Sequence, residues 1–202
     1  MLAWGQRVTI INKSKELFGL MGASPHEFIL NHKEADRQRF EKFKHRTFQY
    51  TDTLYFLEFL QWFYRENESL ESAFLVDSDM KTTLTEFKEL FFHLPTAPKR
   101  TQKHIASPAR KSTCKRLNMF LRWMVRSGPV DFGLWKKIES QHLMIPLDVH
   151  VERVARQLGL LKRKQRDWQA VEELTENLKS FDASDPVKYD FALFGVGVIG
   201  EL

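Results

Sequence analysis

The sequence predicts an all-α fold. Three observations carry that expectation. Apolar residues recur at i, i+3, i+4 and i+7 in one segment after another. No segment alternates apolar and polar residues as a half-buried strand does. Ser, Asp, Gly and Pro also stand where helices start and stop. With 202 residues, 43% hydrophobic and 28% charged, the chain can bury one sizeable core as a two-lobed single domain. The 17 Phe must mostly lie inside it.

Residues 2–21 place Leu2, Val8, Ile11, Leu17, Phe18 and Met21 at helical spacing, and Gly22 stops the helix. This helix reads from its first residue with no cap ahead of it, so an N-terminally truncated chain is expected. Ser24 and Pro25 open a helix to Asn31. His26 and His32 are expected on the surface. Phe40 and Phe43 anchor the charged stretch from Ala35 to Lys44. From Thr51 to Glu66, Leu54, Phe56, Leu57, Phe59, Leu60 and Phe63 surround a helix almost completely, which predicts a central buried position. A short helix over Ser69–Phe74 is followed by Asp77, Ser78 and Asp79 as loop and cap. Lys81–His93 carries Leu84, Phe87, Leu90 and Phe91 on one face. Pro95 and Pro98 end it. The expected division is therefore a helical lobe over 1–94, a basic stretch over 99–160, and C-terminal helices over 161–202.

The basic stretch is the most informative part of the chain. Between Lys99 and Arg126 stand nine Lys or Arg and no Asp or Glu, although the net charge is only +5. A one-signed field of this density attracts polyanions, nucleic acid first among them. Ser112 or Thr113 is expected to cap a helix from Lys115 to Arg126, with Leu117, Phe120, Leu121 and Met124 inward and Lys115, Arg116, Arg122 and Arg126 left over. Arg100, Lys103, Arg110, Lys111, Ser112 and Arg116 are the expected phosphate contacts. Ser127, Gly128 and Pro129 break the helix, and Val130–Ser140 is expected to hold another short one around Phe132 and Trp135. Asp148 starts a helix to Leu158, where the dipole favours a carboxylate. Lys162–Arg166 forms a basic turn, Asp167 caps a helix to Leu178, and Asp185-Pro186 starts the last helix. There Tyr189, Phe191, Ala192, Leu193 and Phe194 are the expected core. The glycines at 195, 197 and 200 follow no strand and do not read as a phosphate loop.

A single Cys, Cys114, precludes an internal disulfide, fits a reducing compartment, and leaves no ligand set for an iron-sulfur cluster. No metal-ligand spacing recurs. No stretch of about 18 apolar residues exists. The expectation is a cytoplasmic monomer with no cofactor, no metal and no membrane association.

Two segments resemble the helix-hairpin-helix DNA glycosylase superfamily. KSTCKRLNMFLRWMV is similar to the helix after the hairpin, which a Lys opens with an Asn three residues on; these are Lys115 and Asn118. IPLDVHVERVARQLGL is similar to the segment carrying the catalytic Asp, with Pro146, Leu147, Asp148, Val149, His150, Arg153 and Val154 at the matching positions. LAWGQR is similar to an early helix that reaches the duplex, through Gln6 and Arg7. The whole chain also resembles a bacterial family of uncharacterised proteins (DUF2400-like) that shares LAWGQR, KRLNMFLRWMVR and PLDVHVERVARQLGL. The chain departs from the superfamily in having no glycine over 106–114, where the usual hairpin grips a phosphate. Lys115 and Asp148 stand 33 residues apart, a separation similar to that of the archaeal 8-oxoguanine glycosylase branch.

The resemblance implies a two-lobed helix-hairpin-helix glycosylase-like fold and a base-excision DNA glycosylase with AP-lyase activity. Lys115 would attack C1′ of a nucleotide flipped out of double-stranded DNA, and Asp148 would stabilise the developing charge. Lys115 must then be partly neutral, which partial burial and surrounding cations favour. Gln6 and Arg7 would touch the base or the duplex. His150 and Arg153 would join the Lys and Arg set on the DNA. The alternative is a non-catalytic nucleic-acid-binding module of the same fold; an all-α enzyme for a small phosphorylated substrate is a third reading.

Overall fold

The computed structural model describes residues 1–77 and 79–200; Ser78, expected in a loop and cap, lies outside them. The fold is all-α, with 61% of the described residues in helix and 3% in strand. The helices are α1 (Arg7–Met21), α2 (Pro25–Asn31), α3 (Tyr50–Glu66), α4 (Met80–Phe91), α5 (Lys115–Val125), α6 (Val149–Gln157), α7 (Trp168–Lys179) and α8 (Asp190–Ile199). Short 3-10 turns link several of them. Among the described residues no helix is long and apolar enough to cross a membrane.

The chain divides into two compact units. The first comprises Met1–Ser72 and Glu89–Ile105, the second Ala73–Lys88 and Ala106–Leu202. The second unit thus takes residues 73–88 from inside the expected 1–94 lobe. Aromatic packing explains why. Phe74 stacks on Phe87 at 4.2 Å between centroids and reaches Phe120 and Trp135, all of which belong to that unit.

The first unit is built on α3, as the all-round apolar pattern predicts. Tyr55, Leu57, Phe59 and Phe63 are buried on it. Ile29, Phe40, Phe43, Phe48 and Leu57 form a common core with Leu2. Two expectations fail here, those for α1 and His32. α1 starts at Arg7 rather than at the chain's first residues and buries none of its own side chains; Val8 and Phe18 are exposed. α2 runs as expected from Pro25 to Asn31 with Ser24 at its N-cap, although the Ser24 side chain makes no capping hydrogen bond. His32 is buried rather than on the surface, because its Nδ1–H can donate to the Ile29 carbonyl at 2.9 Å while Nε2 accepts from Arg37 Nε at 3.2 Å.

Asp52 is the polar centre of this unit. It is fully buried and accepts from Gln49 N (2.8 Å), Thr101 Oγ1 (2.7 Å) and Arg100 Nη1, with His104 Nε2 at 3.3 Å. Burial acts to raise its carboxyl. The Gln49 amide, Thr101 hydroxyl, Arg100 and His104 outweigh burial and hold it below the usual carboxylate range. These bonds tie the 3-10 turn Lys99–His104 to the start of α3.

The second unit contains α5 to α8. The short helix expected over Val130–Ser140 is absent. Ser127–Gly128 (β1) pairs antiparallel with Asp131–Phe132 (β2) instead, Gly128 facing Asp131. Pro129 and Val130 make the turn, and two arginines of the α5 segment capture Asp131 (below), so its backbone is held extended. The last helix is also rearranged: Pro186–Tyr189 is a 3-10 turn and α8 begins at Asp190. Leu193 is core as expected, whereas Phe191 and Phe194 are exposed.

Asp52→Ala is expected to lower unfolding free energy by about 3 kcal/mol, since it strands a buried histidine and an arginine. Because the Asp52 pKa is lowered on folding, its contribution is present above the ordinary carboxylate pKa and lost as pH falls through the folded value. Urea unfolding at pH 7 and at pH 2.5 checks both points; a change under 0.5 kcal/mol at pH 7 contradicts this account.

Candidate active site

Local sequence builds the turn before α5 without glycine. Ser107 accepts from Ala109 N, Pro108–Arg110 makes a 3-10 turn, and Lys111 (φ 58°) and Cys114 (φ 50°) take the left-handed conformation. Cys114 is the N-cap, and its side chain makes no capping hydrogen bond. Ser112 does not cap the helix; its Oγ accepts from Cys114 N at 3.2 Å. Asn118, fully inside, donates from Nδ2 to the Thr113 carbonyl at 3.1 Å and closes the turn. Lys115 follows as the first residue of α5.

Asp148 is positioned from the other side. Ile145 and Leu147 are buried, and Ile145 N donates to Thr175 Oγ1 of α7 at 3.2 Å. The Asp148 Oδ1 atom accepts from His150 N (2.8 Å) and Val151 N (2.9 Å), which caps α6 as the sequence predicts. Its other oxygen is free of the helix. Oδ2 lies 3.2 Å from Lys115 Nζ, with the Lys side chain 39% and the Asp side chain 10% exposed. One carboxylate thus ends a helix with one oxygen and meets an ammonium with the other.

A second carboxylate stands beside this pair, one that the sequence pattern does not single out. Asp190, at the start of α8, lies in the electrostatic field of both Asp148 and Lys115. Burial raises its pKa to about 6, against the opposing pull of Arg122. Arg122 itself is buried. Its Nε bonds Asp131 Oδ1 at 3.1 Å and its Nη1 bonds Asp190. Arg126 extends the series with Nη1 on Asp131 Oδ2 at 2.5 Å and Nε on Asp185 at 2.8 Å. The signal in the sequence is Asp190 itself, an acidic residue inside the apolar last helix; only Asp185 reads there as the helix start.

These contacts revise the expected cationic face. Arg122 and Arg126 are not left over; each holds two carboxylates. Arg100 serves the buried Asp52 and also donates to Gln49 Oε1 at 3.2 Å. Of the cations expected around Lys115, Arg122 and Arg126 are paired with Asp131, Asp185 and Asp190. Arg116 is half-buried, and burial lowers its pKa. His150 and Arg153 bond the Gly197 carbonyl of α8, His150 Nδ1 at 3.0 Å. Lys103, Arg110 and Lys111 are exposed. Gln6 and Arg7 are exposed at the start of α1 and belong, with Arg100 and Lys103, to the first unit. Burial pushes the Cys114 thiol up to about 12, so it is no nucleophile at neutral pH. Among the described residues no group of three or more His, Cys, Asp and Glu is placed to hold a metal ion.

Gly197 makes the α6–α8 contact possible. A Cβ there would meet His150 Cβ at 2.8 Å and the His150 carbonyl oxygen at 3.0 Å. The contact lies two residues from Asp148, so it fixes α6 where its cap residue meets Lys115.

The family described as "Protein of unknown function (DUF2400)" has a model that matches residues 1–199 of the chain. No curated protein and no solved structure matches it.

Gly197→Ala is expected to destabilise the protein by about 1–3 kcal/mol through overpacking against the α6 backbone; an unchanged thermal midpoint contradicts the close approach. Asp190→Asn tests the raised carboxyl. A raised folded pKa means its contribution to stability is complete below the ordinary value and lost as pH rises through about 6. The stability deficit of the variant should therefore shrink between pH 4.5 and pH 7.5, measured by denaturant unfolding. A deficit that grows with pH contradicts it.

Proposed function

We propose, from the premise that the chain belongs to the DUF2400 family and carries a paired Lys115 and Asp148, that it is a base-excision DNA glycosylase with AP-lyase activity. The observation that carries the proposal is the 3.2 Å contact between Lys115 Nζ and Asp148 Oδ2. Nothing local in the sequence brings these two residues together. They are the two residue types that imine chemistry at a sugar carbon requires.

The chemistry follows from that pairing. A base inside a duplex is out of reach, so the nucleotide is swung out. Asp148 accepts a proton from the Lys115 ammonium, which leaves an amine with a free electron pair. As the C1′–N bond breaks, its electron pair leaves with the base, which takes the proton from Asp148 and so restores its carboxylate. Positive charge builds on the sugar, and the Nζ–C1′ bond forms against it. The restored Asp148 carboxylate favours that charge. Ring opening gives an imine between Lys115 and C1′. Loss of a C2′ proton then expels the 3′ phosphate with the C3′–O electron pair. The substrate is double-stranded DNA with a damaged base, and the protein acts as a monomer in the cytoplasm.

Lys115→Ala is expected to abolish the covalent adduct formed with an abasic duplex and borohydride, read as a shifted band on a denaturing gel. Asp148→Asn should slow base release by about 100-fold or more, since it removes both the proton acceptor and the charge at C1′. An adduct that persists in Lys115→Ala moves the nucleophile to another amine. Salt-sensitive duplex binding by wild type with no adduct favours a binding module instead.

A further inference from the structure

The second unit also carries an open cleft of about 300 Å³ lined by Lys81, Lys111, Arg163, Asp167, Trp168 and Gln169, among others. None of these residues belongs to the Lys115–Asp148 pair or to its arginine–aspartate network. Three cations arrive from three separate segments: the start of α4, the turn before α5, and the basic turn after α6. Arg163 pairs bidentately with Asp167, through Nε at 2.7 Å and Nη2 at 2.6 Å, and Asp167 Oδ1 also accepts from Ala170 N. The carboxylate in the lining is thereby occupied. Among the described residues Lys81 has only Glu172 within salt-bridge range, at 4.0 Å, and its side chain is 52% exposed. Lys111 is exposed. Trp168 is buried, and among the described residues its indole N–H has no hydrogen-bond partner.

The basic turn is held rigid before any ligand arrives. Lys162 N donates to Glu173 Oε1 at 2.6 Å and Arg163 N to Glu173 Oε2 at 3.2 Å. Arg156 donates to the Lys164 carbonyl at 3.2 Å, and Arg166 pairs with Glu152. Lys162 and Lys164 stay exposed on that fixed backbone. A site with pre-set cations loses little ordering entropy on binding. It is an open cleft with cations continuing along the turn. That shape suits one phosphate of a long polyanion better than a small enclosed anion.

We propose that this cleft grips a backbone phosphate of nucleic acid through Lys81 and Lys111, beside the Asp167-paired Arg163. The proposal rests on the reading of the protein as DNA-acting and assigns it a second, sequence-independent contact. Each phosphate neutralised releases counterions, so the contact is legible in the salt dependence of binding.

The test is fluorescence anisotropy of a labelled duplex over a potassium chloride series. Wild type is compared with Lys81→Gln/Lys111→Gln and with Lys15→Gln, an exposed cation of α1. Far-UV circular dichroism confirms folding of each. The double variant is expected to bind several-fold more weakly at fixed salt, with a log–log slope shallower by about 1–2, while Lys15→Gln matches wild type. An unchanged slope overturns the proposal, as does an equal change in the Lys15 variant. Binding of pyrophosphate by a wild type that ignores duplex DNA also overturns it. The borohydride adduct is scored on the same proteins at low salt. An intact adduct with an unchanged slope removes the cleft and leaves the enzyme. A shallower slope with no adduct in wild type removes the enzyme and leaves the cleft.

Discussion

Arg122 is buried in α5 with a carboxylate on either side, Asp131 of the β-hairpin and Asp190 of α8. A buried guanidinium is strongly disfavoured without such partners, and each carboxylate inside the fold is disfavoured without the cation. The ion series Asp190–Arg122–Asp131–Arg126–Asp185 therefore holds or fails as a unit. It fixes α5 against the start of α8. α8 in turn packs on α6 through Gly197, and α6 begins at Asp148. Lys115 and Asp148 meet because both ends of this chain of contacts are closed.

The same series changes what the basic stretch means. Nine cations without a carboxylate look, along the sequence, like an outward field. In the fold Arg100, Lys115, Arg122 and Arg126 are each taken by Asp. What remains exposed is local, and one group of it surrounds the Lys81–Lys111–Arg163 cleft. The electrostatics separate into a buried part that builds the site and a surface part suited to holding a polyanion. Asp190 belongs to the first. Burial pushes its carboxyl up to about 6 against the opposing pull of Arg122.

Much of the fold was legible because its signals are local. The apolar surround of α3, the Asp167 cap of α7 and the Asp148 cap of α6 depend on residues within a few positions of one another. The Asp148 position was legible for the same reason. The partners were not. Arg100 meets Asp52 across 48 residues, Arg126 meets Asp185 across 59, and Arg122 meets Asp190 across 68. No periodicity records such pairs, so the arginines read as surface cations and Asp190 went unnoticed. The hairpin at 127–132 was not legible because capture of Asp131 by Arg122 and Arg126, nine and five residues before it, outweighs local helical preference. His150 and Arg153, similar in position to DNA contacts of the resembled enzymes, turn instead to the Gly197 carbonyl.

The central claim is that Lys115, set against Asp148, is the amine that attacks the sugar. It is tested most directly by trapping wild-type protein on an abasic duplex with borohydride, digesting the complex, and locating the modified residue by mass spectrometry. The account predicts a deoxyribose remnant on Lys115, diminished when Arg122→Met disrupts the ion series. A remnant on the N-terminal amine or on any other lysine contradicts it.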